Sequence, residues 1–266
     1  MSTIAVLMTC YNRVQTTLGC LRGVFAQELP EGYSADVWLV DDASPDGTGE
    51  RVRLEFPQVH VIRSEGGLFW CRGMRRAWDE AVKGGDYDFF LWLNDDVKLK
   101  NGAITGLLAD YEQTKGVIVG TFSSDETESD VSYGATGKRP DGTPRIGDKG
   151  MNGNLVLIPR AIYEKVGPIC GGYSHQYGDY DYGWQVRKHG FQYYASSRFC
   201  GVCPQQPERY LHLRNRSLAE RMKLLFDPKG FCLHDAFLYK YRNWGLIRGI
   251  LSAVSVTVKV VFARGK

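Results

Sequence analysis

Several well-known binding and catalytic signatures are missing from this 266-residue chain. No G-x-G-x-x-G follows the first strand-like run, so the glycine turn that lets a backbone approach a dinucleotide pyrophosphate is absent. G-x-x-x-x-G-K-[ST], H-E-x-x-H and G-x-S-x-G are also lacking, which argues against a P-loop, a zincin helix and a nucleophile elbow. There is no internal repeat and no low-complexity tract. No basic n-region with a cleavage site precedes the first strand. The seven cysteines are odd in number and irregularly spaced. Cys200-Gly201-Val202-Cys203 has zinc-like spacing but no second pair, so two ordinary thiols are expected there. Reduced thiols in a cytosolic compartment are the default. Collagen, coiled coil and wholesale disorder are excluded by 43% apolar and 24% charged residues.

Charge is scarce as a sum, at +3, but uneven along the chain. Residues 1–204 carry 21 Lys and Arg against 26 Asp and Glu, whereas 205–266 carry 12 against 4. The basic end suggests an anionic partner. No nucleic-acid motif accompanies it, and none is expected to bind. Residues 246–262 hold 11 apolar residues in 17. At 100° per residue, Arg248, Ser252, Ser255 and Lys259 form one polar stripe on an otherwise apolar helix. Seventeen residues rise only ~25 Å, short for a bilayer span. The tail is therefore expected to lie in the interface of an anionic membrane. The alternative is packing on the domain or on a second copy of the chain.

Strand and helix patterns alternate through the first half. Apolar runs at 4–8, 37–40, 59–62, 89–93, 117–121 and 154–158 read as strands, and 14–26, 48–56, 71–83 and 103–114 as helices. A further helix begins near Gly178-Asp179. This alternation predicts an α/β fold with a mostly parallel, Rossmann-like central sheet flanked by helices. Ligands of such sheets bind outside the carboxyl ends of the strands. Asp41, Asp42, Asp95 and Asp96 all stand at such ends. The polar stretch 123–150 reads as a functional loop or lid.

Asn94-Asp95-Asp96, after a very apolar strand, is the best candidate for a divalent-cation site, because hard oxygen ligands suit Mg²⁺ or Mn²⁺. Turn-forming or capping acids are the plainer reading of the same residues. Asp179 and Asp181 are two apart on a helix and cannot face one cleft. In the first turn Asp179 would stay ionised, as a general base for a hydroxyl must. A simple N-cap is the competing role.

Together these motifs resemble something specific. Met8-Thr9-Cys10-Tyr11-Asn12-Arg13, Val40-Asp41-Asp42-Ala43-Ser44-Pro45-Asp46-Gly47-Thr48 and Leu93-Asn94-Asp95-Asp96 are similar to the opening of family 2 glycosyltransferases with the GT-A fold. Gly178-Asp179-Tyr180-Asp181, with Arg187 and Gly190, is similar to that family's catalytic-base helix. The likeness spans roughly residues 3–225. It implies that Thr9 and Tyr11 line a nucleotide pocket and that Asp42 accepts a hydrogen bond from the base. Asp95 would lie near the ribose and donor sugar, and Asp96 would ligate the metal. Asp179 would be the catalytic base, with His212 a further metal ligand. Gly66-Gly67-Leu68-Phe69-Trp70 and Met151-Asn152-Gly153-Asn154 resemble a rhamnosyltransferase-like subgroup of bacterial surface-polysaccharide enzymes. Asn152 and Gly153 would then neighbour the donor sugar. Trp70 would either stack on a sugar or base, or serve the core. The family often has an Arg-Asn pair where this chain reads Leu68-Phe69-Trp70-Cys71-Arg72-Gly73-Met74-Arg75.

The resulting expectation is a GT-A domain over 1–225 with a basic, amphipathic helical extension over 226–266. Its activity would be inverting and metal-dependent, moving a sugar from a UDP- or dTDP-linked donor to a lipid-linked glycan acceptor. It would work in the cytoplasm, peripheral on the inner face of the membrane, and a homodimer fits the tail equally. A non-catalytic sugar-nucleotide or carbohydrate-binding module is the second reading. A sugar-nucleotide pyrophosphorylase is the third, although its usual glycine-rich basic first loop is missing between Thr9 and Arg13.

Overall fold

The computed structural model describes residues 1–205, 213 and 216–263. The first half alternates strictly: β1 (Ser2–Cys10), α1 (Val14–Phe25), β2 (Tyr33–Asp41), α2 (Thr48–Glu55), β3 (His60–Arg63), α3 (Phe69–Gly84) and β4 (Phe89–Leu93). Then come β5 (Lys98–Leu99), α4 (Ala103–Thr114), β6 (Val117–Ser123), β7 (Arg145–Ile146), β8 (Leu155–Pro159) and α5 (Arg160–Val166). The chain closes with α6 (Gly178–Lys188), β9 (Tyr193–Val202), α7 (Leu218–Phe226), α8 (Leu233–Trp244) and α9 (Leu246–Val261).

One sheet runs in the order β3-β2-β1-β4-β8-β6-β9-β5, with β7 paired to β9. The half from β3 to β4 is parallel, as the alternation predicts. β8 then runs antiparallel between β4 and β6, while β6 and β9 run parallel to each other. The sheet is buried on both sides, and side-chain alternation feeds two cores. Ile4, Val6, Met8, Phe89, Leu91 and Leu93 enter the core under α1, α2 and α4. Ala5, Leu7, Phe90 and Trp92 enter the other, with Met74, Trp78 and Tyr182 from α3 and α6.

Two features position the cleft. The parallel register aligns Leu7 with Trp92 and Cys10 with Asp41, so the carboxyl ends of β2, β1 and β4 share one edge. Because β8 is antiparallel, its start rather than its end lies there: Leu93 faces Leu155, and the Asn94 N–H donates to the Asn154 carbonyl at 2.9 Å. The predicted loop at 123–150 is partly stitched to the sheet. β7 pairs with β9, Phe122 bridges Tyr133, and Ala135 is buried.

The last helices form a small cluster of their own. Leu213, Leu225, Phe231 and Val260 make its core. On α9 the packed face begins with small residues, where a Cβ at Gly249 would lie 2.9 Å from the Phe237 ring and the Ser252 hydroxyl donates to the Ala236 carbonyl, and ends with Val256 and Val260. The large residues Ile247, Ile250, Leu251, Val254, Val258 and Phe262 point outward, Ile247 at 74% exposure. No described helix is long and apolar enough to cross a membrane.

Candidate active site

A cleft of about 1060 Å³ opens at the shared strand edge. Thr9, Tyr11, Asp42, Trp70, Asp95, Asp96, Asn152, Gly153 and Asp179 all line it. These are all the site residues expected from the sequence except His212, which lies outside the described residues. Neither Arg72 nor Arg75 is there. Arg75 pairs with Asp79 on its own helix, and among the described residues the guanidinium at the cleft is that of Arg13.

Asp42 is 5% exposed. Its carboxylate accepts the Ser64 hydroxyl at 2.7 Å and the backbone N–H groups of Leu68 and Phe69 at 3.1 and 3.0 Å. These donors fix the Gly-Gly-Leu-Phe-Trp segment to the end of β2. Phe69 holds φ at +56°, and two more non-glycine cleft residues, Ala43 and Tyr177, stand at +56° and +63°. Backbone of this kind costs energy and persists where surrounding contacts enforce it. The paired acid Asp41 turns away: it is fully buried and packs where a Cβ at Gly49 would fall 2.5 Å from its Oδ2.

Arg13 Nη1 bridges Asp95 and Asp96 at 3.2 and 3.0 Å, and the Thr17 hydroxyl donates to Asp95 at 2.9 Å. Burial raises the Asp95 carboxyl, Arg13 pulls it down, Asp96 pushes it up again, and it settles at about 6. Two adjacent carboxylates that already share a cation are a donor set of hard oxygens. No group of three ligands occurs among the described residues, but Mg²⁺ and Mn²⁺ commonly take one or two carboxylates and complete their shell with phosphate and water. The residues present fit such an ion.

Asp179 enters from the far wall, in the first turn of α6, where the helix dipole favours an anion. Its oxygens accept the N–H groups of Gly153 at 3.0 Å and Tyr180 at 2.8 Å. The helix reaches this close because residue 178 is glycine; a Cβ there would lie 2.6 Å from the Cys71 sulfur. Gly153 is needed for a similar reason, since its Cβ would meet the Trp70 ring at 2.5 Å and the Asp179 Cβ at 3.3 Å. Asp181 faces the other way, buried against Arg242 and Asn243 of α8. Trp70 is half-buried and serves both readings: it packs edge-on against Trp92 while lining the cleft.

Sequence reasoning missed a polar chain across the floor. The Trp70 indole donates to Asn94 at 2.6 Å, and Asn94 donates to Asn154 at 2.6 Å. Asn154 in turn donates to the sulfur of Cys203 at 3.4 Å. Asn94 and Asn154 sat within quoted motifs, but only the antiparallel β8 shows that they meet. His175, Gln176 and Lys229 also line the cleft, from segments with no motif.

Residues 5–167 match the family described as Glycosyl transferase family 2, and the chain belongs to that family. In fold it is similar to the mannosyltransferase PcManGT from Pyrobaculum calidifontis in complex with GDP-Man and Mn²⁺, with a TM-score of 0.59 at 14% identity. That likeness covers 96% of this chain and 75% of that one. It is also similar to S. aureus TarS 1-349 in complex with UDP-GlcNAc, with a TM-score of 0.60 at 11% identity, covering 99% of this chain and 81% of that one. At these identities the likeness is one of fold. No curated protein matches the sequence. The molecule is a glycosyltransferase with a GT-A type fold, as its motifs implied.

Proposed function

We propose that this glycosyltransferase is inverting and metal-dependent, taking its sugar from a nucleoside diphosphate and giving it to a hydroxyl of a lipid-linked surface glycan. The observation that carries the reading is that Asp96 and Asp179, far apart in sequence, open onto one cleft. Thr9 and Tyr11 take the base side. Asp42 accepts three hydrogen bonds from residues 64–69, two of them on Oδ1, so it holds that segment in shape and keeps acceptor capacity on Oδ2 for the base. Asp96 would hold a divalent cation, which when bound neutralises charge on the departing diphosphate, and Asp95 beside it would lie near the ribose and donor sugar. Asn152 and Gly153 neighbour the donor sugar.

Asp179 removes the proton from the acceptor hydroxyl onto one of its carboxylate oxygens. The acceptor oxygen then bonds to the anomeric carbon from the face opposite the diphosphate. The bond from that carbon to the phosphate oxygen breaks, and the diphosphate leaves with the electron pair. No covalent enzyme intermediate is required. The segment 123–150, tied at β7, contributes Tyr133 to the wall and limits water access to the donor.

The outward face of α9 supports peripheral contact with an anionic membrane. Its apolar side chains are flanked by Arg248 and Lys259 in a basic end of the chain. A product-release assay with UDP-, dTDP- and GDP-sugars and Mn²⁺ tests the catalytic reading. Release of free nucleoside diphosphate from one donor class is expected. Binding without release would favour the non-catalytic module.

A further inference from the structure

The turn between α7 and α8 belongs to no motif, yet it reaches the cleft. Asp227 shapes it: its carboxylate accepts the Lys229 N–H at 2.8 Å, and its carbonyl accepts the Gly230 N–H at 2.9 Å. Position 230 needs glycine for space, since a Cβ would lie 2.2 Å from the Leu224 carbonyl oxygen. From the cleft wall the Gln176 amide, itself 5% exposed, donates to the carbonyls of Pro228, at 3.1 Å, and Gly230. The Gln176 N–H is in turn held by Asp235 at 3.0 Å. A turn clamped in this way fixes where its side chain can reach. Lys229 reaches over the Tyr11 ring, with Nζ 5.6 Å from the centroid.

The charge balance gives this lysine a task. Among the described residues the cleft lining carries the carboxylates of Asp42, Asp95, Asp96 and Asp179 against two fixed cations, Arg13 and Lys229. Arg13 is already engaged by Asp95 and Asp96. Lys229 makes no ion pair with any described carboxylate. Its ammonium is a point charge on a long stem, suited to phosphate oxygens. We propose that Lys229 is a donor-binding residue that holds the diphosphate from the α7–α8 side, so that the C-terminal helices complete the donor site. The proposal rests on the nucleotide-sugar reading above.

Calorimetric titration of the full chain with UDP, dTDP and GDP in the presence of Mn²⁺ tests it. For the diphosphate that binds, Lys229→Ala is expected to weaken affinity about tenfold at low salt, and Lys229→Arg to restore most of it. The ratio should shrink as KCl is raised, because an exposed ammonium–phosphate contact is screened. Unchanged affinity in Lys229→Ala overturns the proposal. A loss that stays constant across salt also overturns it, placing the residue on the base. So does intact nucleotide affinity with lost flotation on anionic vesicles, which would make Lys229 a lipid contact. Wild-type protein that binds none of the three diphosphates would remove the nucleotide-sugar reading itself.

Discussion

Along β3, β2, β1 and β4 the cleft residues stand at, or just past, the carboxyl ends of neighbouring parallel strands, and backbone register alone brings them level. The opposite wall is assembled differently. Asp235 of α8, fully buried, accepts the N–H groups of Ser174, His175 and Gln176, and Gln176 then clasps the α7–α8 turn. Here one side chain organises a segment of irregular backbone that leads into α6 and Asp179. A wall set by register tolerates side-chain changes in its scaffold, whereas a wall hung from a few side-chain-to-backbone bonds does not.

This contrast can be tested by damaging each wall in turn. The largest effect is expected on the register side, from Asp96, the residue proposed to hold the cation. Asp96→Ala, or chelation of wild type, should lower turnover by about 10³-fold and weaken donor binding, because a metal supplies several kcal/mol to the leaving group. Steady-state rates with and without EDTA check this; indifference to both would mean a metal-independent mechanism. Next is Gly153→Ala, at the point where the walls meet. The added methyl must displace Trp70 or Asp179, and a shift of about 1 Å near the chemistry costs roughly 10² in rate. A crystal structure of the variant with unmoved Trp70 and Asp179 would remove the explanation.

On the clasped wall, Asp235→Asn should cost about 2–4 kcal/mol in denaturant unfolding, because an amide nitrogen would face backbone N–H donors in a buried site. Burial alone would raise the Asp235 carboxyl, but the N–H groups of Gln176, His175 and Ser174 outweigh it and hold it below the ordinary carboxylate range. Its stabilisation is therefore complete above the unfolded-state value near 4 and fades as pH falls through the lower folded value. Wild type should lose this increment in acid, and the variant should show a flatter acid limb. The smallest effect concerns α9. Ile247→Ser with Val254→Ser should reduce flotation on anionic vesicles several-fold and leave rates on soluble substrates unchanged. Equal flotation of variant and wild type would point to packing on protein instead.

How much of this was legible beforehand follows the same division. Apart from the two-residue β5, the strands and helices up to α4 obeyed clear periods and match within a few residues. Of the four acids at strand ends, Asp42, Asp95 and Asp96 line the cleft, while Asp41 is buried away from it. β9 escaped because Ser196, Ser197, Arg198 and Gly201 interrupt its apolar run, although it lies inside the sheet. α7 carried a readable signal, the Ser217–Glu220 capping box. The sequence marked Arg248, Ser252, Ser255 and Lys259 as one polar stripe on an otherwise apolar helix, but not which side of α9 packs, and Ser252 turns out to face α8. That depends on Gly249 fitting against the Phe237 ring where a larger residue would not. Gln176, Asp235 and Lys229 left no local trace, because their roles arise from contacts between segments far apart in the chain: Gln176 and Asp235 join segments 52 to 61 residues apart, and Lys229 reaches Tyr11.

The central claim is that Asp179 strips the acceptor hydroxyl in the same cleft that binds the donor. Asp179→Asn keeps the shape and removes the base, so pairing its turnover with its donor affinity is the most direct measurement. The account predicts a fall of about 10²–10⁴ in turnover with donor binding within about twofold of wild type. Near-normal turnover, or an equal collapse of binding and rate, would contradict it.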